Sequence, residues 1–174
     1  MSASSHPRTI EERTLSDLPP LGAHVREETG QQLQATLVEL VDLSLVGKQL
    51  HWNIVGQQFR PLHLQLDELI DSWRELADTV AERAVAIGFA PDAQARTVAS
   101  DSALEGVERG AIEDRVVVTT LTRLLAEAAE RIRGRMERLS ELDPASEDVL
   151  VEVLRAVEQQ LWMVRAQRPL PGSS

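Results

Sequence analysis

The amino-acid sequence predicts an all-α fold, a single bundle of four long helices. Apolar residues recur with helical spacing over four long stretches, and the prolines that follow the first twenty residues fall at the borders of these stretches. Aromatic residues make up only 3% of the 174-residue chain, so the core must consist mainly of Leu, Val and Ala. A chain of this length supports one domain with a sizeable core.

The first predicted helix spans about residues 22–55. Its packing stripe contains Leu33, Leu37, Leu40, Val41 and Ser44. Continuing this stripe in steps of seven reaches His51, which therefore lies on the packing side of the last full turn. Asn53 and Gly56 tolerate a left-handed backbone, so the helix is expected to end there.

The second predicted helix begins at Pro61, a favourable first helical residue, and ends at Gly88. Residues 89–111 contain Pro91 and two glycines, and we expect them to form a long connection with a short helix near residues 102–108. A long crossover at this place in a four-helix bundle makes the second and third helices run parallel.

The third predicted helix covers residues 112–142. Its buried stripe is Val117, Leu121, Leu124, Leu125, Ala128, Ile132 and Leu139. The fourth helix follows Asp143 and Pro144, which suit the N-cap and the first helical position, and it ends before Pro169. Its stripe is Val149, Val153, Ala156, Val157, Gln160 and Val164.

Three segments are predicted: a flexible N-terminal arm over residues 1–21, the bundle over residues 22–168, and a short tail over residues 169–174. The net charge of −10 should repel nucleic acid and anionic membranes and attract cations. The absence of cysteine excludes disulfides and Cys-based zinc sites and favours a reducing cytoplasm. With no long apolar run or signal-peptide core, we expect a cytoplasmic protein.

Two acid-bearing pairs on the second helix are candidate metal ligands: His63 with Asp67, and Asp78 with Glu82. Each pair has i,i+4 spacing, so its side chains share one helix face. The pairs are roughly 22 Å apart along the axis, too far for one site. An antiparallel second copy, related by a two-fold axis near the helix midpoint, would bring opposite pairs together. The alternative is a solvated acidic stripe.

His51 is the fifth candidate ligand, because it lies across the predicted turn from His63. His6 and His24 fall in the arm or at the start of the first helix, where a metal role is not expected. A single histidine on a packing face is often a hydrogen-bonded core residue, and this alternative stays open for His51 alone. Imidazoles and carboxylates together suit Fe, Mn or Zn.

The run of residues 48–88 resembles the signature of the Dps proteins, the DNA-binding proteins from starved cells, which are mini-ferritins. The matching positions are His51, Trp52, Asn53, Gly56, Phe59, His63, Asp67, Asp78 and Glu82. Residues 159–166, QQLWMVRA, are similar to the final helix of the family. The resemblance covers nearly the whole chain except its ends.

The resemblance implies a ferritin-like four-helix bundle, assembled as a hollow homododecamer that oxidises Fe(II) and stores ferric mineral. It implies a ferroxidase centre at each two-fold interface, with His51, His63 and Asp67 from one subunit and Asp78 and Glu82 from its mate. Hydrogen peroxide is the oxidant that the resemblance implies. Trp52 either traps oxidising equivalents beside the site or serves as an interface or core aromatic.

An acidic cluster around the turn between the third and fourth helices is a candidate pore lining. It comprises Glu141, Asp143, Glu147 and Asp148. The resemblance to the Dps proteins implies that such a cluster lies near a three-fold pore, and Asp148 is the residue that best matches a pore-lining position. Acids are also favoured at a helix N-terminus by the helix dipole, and this explanation alone would suffice.

DNA binding is expected to be weak or absent, although the family name refers to it. Family members that bind DNA tend to carry lysine-rich arms, whereas this chain has one lysine, Lys48, and a net-negative arm. Two alternatives to an iron-oxidising store stay open. One is a nucleoid-binding protein that protects DNA by compaction, and the other is a structural cage whose site holds zinc or nothing.

Overall fold

The computed structural model describes residues 18–168 and confirms the predicted all-α bundle. In chain order, its elements are α1 (Ala23–Asn53), β1 (Ile54–Val55), α2 (Phe59–Ala86), α3 (Ala95–Asp101), β2 (Ile112–Glu113), α4 (Asp114–Leu142) and α5 (Pro144–Arg165). Helices α1, α2, α4 and α5 form the bundle, and the segment that carries α3 crosses over between α2 and α4. The chain therefore has the connection pattern of a ferritin-like bundle.

The core is a continuous apolar cluster to which all four long helices contribute. The predicted stripe of α4 is buried throughout, whereas Val41 on α1 and Val149 and Ala156 on α5 are only partly covered. Trp73 is fully buried at the centre, where its indole N–H donates to the side-chain oxygen of Gln160 at 2.8 Å. This bond satisfies the one polar group of the ring and joins α2 to α5.

The short helix of the crossover lies at residues 95–101, so its predicted position at residues 102–108 was wrong. The reason is a capping arrangement at Asp92, whose carboxylate accepts the Gln94 backbone N–H at 2.9 Å and the Thr97 hydroxyl at 2.8 Å. Beyond the helix, the Ser102 hydroxyl donates to Asp42 on α1. The crossover is thus tied to α1 where the helix had been expected.

Two further features differ from the sequence prediction. Helix α2 begins at Phe59, two residues before Pro61, and the proline sits in the first turn, where no N–H is needed. Strands β1 and β2 pair in parallel, with Ile54 opposite Ile112 and Val55 opposite Glu113. Two-residue strands carry too little sequence pattern to be predicted.

Residues 1–17 of the predicted arm and the whole predicted tail, residues 169–174, lie outside the described residues. Residues 18–21 of the predicted arm lie against the bundle. The side chain of Leu18 packs on Gly88, and the Arg26 guanidinium donates to the carbonyl oxygens of Leu21 at 3.1 Å and Ile87 at 2.7 Å. This short segment therefore contacts the bundle before the first helix begins at Ala23.

A buried carboxylate joins α1 to α4. Glu39 is 2% exposed, and its two oxygens accept hydrogen bonds of 2.6 Å from Arg131 Nε and Arg135 Nη1. Arg135 also reaches the Thr36 hydroxyl at 3.4 Å. Since a buried charge is costly unless it is paired, this triad fixes the register of the two helices.

We expect Glu39→Ala to lower the free energy of unfolding by about 3 kcal/mol, because two guanidinium groups at the edge of the core lose the carboxylate that they share. Glu158→Ala is the matched control, since it removes an exposed pair with Arg133 and should cost less than about 1 kcal/mol. Urea titrations at one protein concentration measure both values. Similar losses in the two variants would contradict a special role for Glu39.

Candidate metal centre

Two histidines clamp the turn between α1 and α2. The rings of His51, on the last turn of α1, and His63, near the start of α2, are stacked with their centroids 3.7 Å apart and their planes 25° from parallel. The Nδ1 of each ring lies 3.1 Å from the backbone carbonyl oxygen of the other residue. A carbonyl only accepts, so both Nδ1 atoms carry protons and both Nε2 lone pairs are available to a metal.

Asp67 completes a three-residue cluster with these histidines. One potential ligand atom from each residue lies within 4.8 Å of the others. His51 is 8% exposed, while His63 and Asp67 are partly exposed, so the cluster opens toward the surface. Two imidazoles and one carboxylate are the donor set typical of non-haem Fe(II) sites with open positions.

Lys48 forms a salt bridge with the Asp67 carboxylate. Its Nζ lies 2.5 Å from Oδ1 of Asp67, and His51 Nδ1 lies 3.4 Å from the same oxygen. The hydrogen bond from Lys48 lowers the pKa of Asp67, partial desolvation opposes this, and the positive charges of Lys48 and of His51 and His63 in their protonated forms lower the pKa further. The carboxylate is therefore ionised and ready to bind a cation at neutral pH.

The contact of Lys48 with Asp67 was missed by sequence reasoning, which noted this residue as the single lysine of the chain and as the residue three before His51. The available signal was its spacing, because a residue three positions before His51 lies on the same side of α1. An incoming cation must displace the ammonium group from Oδ1 or use the other carboxylate oxygen.

Asp78 and Glu82 lie elsewhere on the subunit. Both side chains are exposed on α2, and Asp78 follows Asp67 by eleven residues, which is roughly 16 Å along the helix. They do not belong to the cluster of His51, His63 and Asp67. The structure thus brings three of the five predicted ligands together and leaves two on a separate part of the helix surface.

Trp52 projects from the surface next to the cluster. Its side chain is 70% exposed, so the core alternative for this aromatic was wrong. Leu45, one heptad earlier on α1, is 56% exposed, and Phe59 is 44% exposed with its ring 5.1 Å from that of His63. The end of α1 and the start of α2, which carry the candidate ligands, thus expose large apolar side chains.

Comparison with known proteins agrees with this fold. The model of the ferritin-like domain family matches residues 30–169. A protein of Mycolicibacterium smegmatis, called DNA protection during starvation protein, is 30% identical over 157 residues, which are 89% of this chain and 85% of that protein. The crystal structure of Dps92 from Deinococcus radiodurans is 32% identical with a TM-score of 0.81, covering 83% of this chain and 87% of the other.

The chain belongs to the Dps family of ferritin-like proteins. A further relative, DNA protection during starvation protein 2 of Deinococcus radiodurans, is 33% identical over 149 residues, or 86% of this chain. The present chain spans only 62% of the length of that relative. Among the helices that the structure describes, none is long and apolar enough to cross a membrane.

The predicted acidic cluster of this Dps-family chain divides into two parts. Glu141 and Asp148 are exposed and Glu147 is partly exposed, whereas Asp143 is buried. The Asp143 carboxylate accepts bonds from Arg83 Nη2 at 2.6 Å and from the Ser146 hydroxyl at 2.5 Å. Asp143 therefore does not fit the predicted pore lining, because its charge is used to join α5 to α2.

Burial opposes the charge of Asp143, but the hydrogen bonds from Ser146 and Arg83 and the charge of Arg83 outweigh it and lower the pKa. A group whose pKa is lowered by folding contributes stability above its unfolded pKa, near 3.8, and loses it as the pH falls through the folded value. We expect Asp143→Asn to lower the melting temperature at pH 5 to 7, on the order of a few degrees. The difference from wild type should shrink below about pH 4.

Thermal unfolding followed by circular dichroism at fixed protein concentration checks this expectation. Asp148→Asn is the control, because this exposed acid lies on the same helix. A constant difference between Asp143→Asn and wild type down to the lowest pH would contradict the account of Asp143.

Proposed function

We propose that this chain is an iron-oxidising and iron-storing mini-ferritin. The observation that carries the proposal is the cluster of His51, His63 and Asp67, whose available Nε2 atoms and ionised carboxylate suit Fe(II). Iron is the substrate and cargo, and it is released from the site as Fe(III) to form mineral. The reading as a bare cage is less favoured, because a purely structural role would not require this donor set.

We further propose that Asp78 and Glu82 of a second subunit complete each site. Both residues are exposed on the helix that carries His63 and Asp67, so an antiparallel mate can present them to the cluster. Adding two carboxylates gives an oxygen-rich site, which favours the ferric product by charge. The exposed apolar rim of Leu45, Trp52 and Phe59 supports burial of this region in the assembly.

Hydrogen peroxide is the proposed oxidant. One peroxide and two protons take one electron from each of two Fe(II) ions, giving two Fe(III) ions and two waters. The reaction consumes both reagents of hydroxyl-radical chemistry, which would protect the cell. Trp52, next to His51 in sequence, is placed to take up a stray oxidising equivalent or to seal the interface.

A hollow homododecamer is the proposed store, acting in the cytoplasm. Iron enters past the acids at the start of α5, for which Glu147 and Asp148 remain candidates, with Glu141 at the end of α4. The net charge of −10 on each chain supports attraction of cations to the assembly.

DNA protection by compaction is the second candidate function, because relatives of this chain carry DNA protection in their names. The charge of the chain opposes it, since an assembly of such chains repels a polyanion. We expect no gel shift of duplex DNA at about 0.15 M salt. Tight binding that survives this salt concentration would favour the compaction function.

Sharing of ligands between subunits is tested by co-expressing His63→Ala chains with Asp78→Ala chains in equal amounts. Each variant alone should lose most of its Fe(II) oxidation by peroxide, followed anaerobically at the ferric absorption. Each proposed site takes His63 from one chain and Asp78 from the other. In a mixed dimer, one site therefore lacks both residues and the other site keeps both. Half of the dimers are mixed when pairing is random, and half of their sites are intact. Random pairing should therefore restore about one quarter of the wild-type activity.

Co-expression of His63→Ala with Asp67→Ala is the matched control, since both residues belong to the same half of the site and no recovery is expected. The shared site is refuted when the first mixture assembles normally but recovers no activity. Unchanged oxidation in the Asp78→Ala protein alone would show that Asp78 is not a ligand, and a wild type that does not oxidise Fe(II) would favour the bare cage.

A further inference from the structure

A carboxylate from α4 holds the turn that carries the metal cluster. Oδ2 of Asp114, the first residue of α4, accepts the backbone N–H of Gln58 at 2.9 Å. Gln58 is the N-cap residue of α2. The contact passes over Gly56, whose φ of +127° favours glycine and whose missing side chain leaves room for the carboxylate.

Helix α2 depends on this outside acceptor, because its own sequence provides no cap. The side chain of Gln58 makes no capping hydrogen bond, and the first turn of α2 contains no acidic residue. A helix N-terminus leaves backbone N–H groups without partners and carries a partial positive charge. The side-chain oxygen of Asp114 accepts one of these N–H groups from a helix that is distant in sequence.

Apart from the paired bonds of His51 and His63, the same turn has few other attachments. Residues 55–60 are exposed, and the turn borders a cavity of about 1090 Å³ whose lining includes Gly56, Gln58, Leu62 and Asp114. The pairing of β1 with β2 is the second attachment, and it ends at Glu113, directly before Asp114. Loss of the carboxylate would therefore leave the first residues of α2, which precede the buried Leu62, without a capping partner and without core packing of their own.

We propose that Asp114 is a positioning residue of the metal centre, an inference that rests on the proposed function. Gln58 lies five residues before His63, so a shift at the start of α2 moves His63 and Asp67 together relative to His51 on α1. The stacked rings and their paired Nδ1 bonds tolerate little displacement. Asp114 thereby sets the geometry of the ligands without touching the metal.

Cobalt(II) serves as the probe, because its visible absorption reports the geometry of its ligands. We expect Asp114→Ala to weaken Co(II) binding about tenfold, the low end of the loss typical when supporting groups around a metal site are removed, and to alter the visible bands. Asp114→Asn keeps an oxygen acceptor and should recover affinity to within about threefold of wild type. Titrations are made well below the melting temperatures of all variants.

Asp92→Ala is the matched control. Asp92 also accepts a backbone N–H at a helix start, but it caps α3 in the crossover. This variant should lower the melting temperature and leave the affinity and spectrum of bound Co(II) as in wild type. Asp114→Ser, which keeps a polar group at the start of α4 but is too short to reach Gln58, replaces Asp114→Ala if the alanine variant does not assemble.

The outcomes separate the two proposals. A wild-type protein that binds no Co(II) at the cluster contradicts the proposed function itself. A wild type that binds Co(II), together with an Asp114→Ala or Asp114→Ser variant of equal affinity and spectrum, overturns the positioning role alone. Equal weakening in Asp92→Ala overturns it as well, because the effect would then follow from general loss of stability.

Discussion

The site depends on one reciprocal interaction, the paired hydrogen bonds between the Nδ1 atoms of His51 and His63 and each other's backbone carbonyls. Each ring thereby fixes the tautomer of its own side chain and the distance between α1 and α2 at their joined ends. The end of α1 and the start of α2 leave backbone carbonyl and N–H groups that helical bonds do not use. In the clamp, the backbone carbonyl oxygens of His51 and His63 accept hydrogen bonds from the rings and so hold the candidate metal ligands in place.

The packing of the core explains why the candidate ligands lie at the ends of α1 and α2 near the surface and not within the bundle. Ferritin-like di-iron proteins place Glu-x-x-His motifs on helices that face the bundle interior. In this chain the position three before His51 is Lys48, and the interior is occupied by leucines and by Trp73 bonded to Gln160. Gly47 lets α1 approach so closely that an added Cβ would lie only 2.7 Å from the Trp73 ring. A core packed in this way leaves no interior space for iron and its ligands.

Local sequence patterns predicted the features that depend on residues close together in the chain. The i,i+4 spacing of His63 and Asp67 predicted that these side chains share a helix face, and the heptad step from Ser44 to His51 predicted that His51 lies on the packing side of α1. The apolar period of α4 likewise predicted its buried face. Each of these inferences needs only the geometry of one helix.

Features that depend on partners distant in sequence could not be predicted in the same way. Glu39 reads as a surface acid until Arg131 and Arg135, more than ninety residues later, are seen beside it. Asp143 was predicted as an N-cap and as a member of a candidate pore lining. Its salt bridge could not be predicted, because its partner Arg83 lies sixty residues earlier. Asp114 reads as an ordinary first-turn acid of α4, yet its oxygen caps α2.

These three carboxylates show how a chain of strongly negative net charge uses acids inside its fold. Glu39, Asp114 and Asp143 each join two helices, and each accepts from donors that sequence distance hides. The exposed acids Asp78 and Glu82 make no such connection within the cluster of their own subunit. The three carboxylates that join helices are thus engaged within the subunit, whereas Asp78 and Glu82 are exposed on the surface of α2. Under the proposed function, the subunit brings three candidate ligands together and presents two more on its surface for a second subunit.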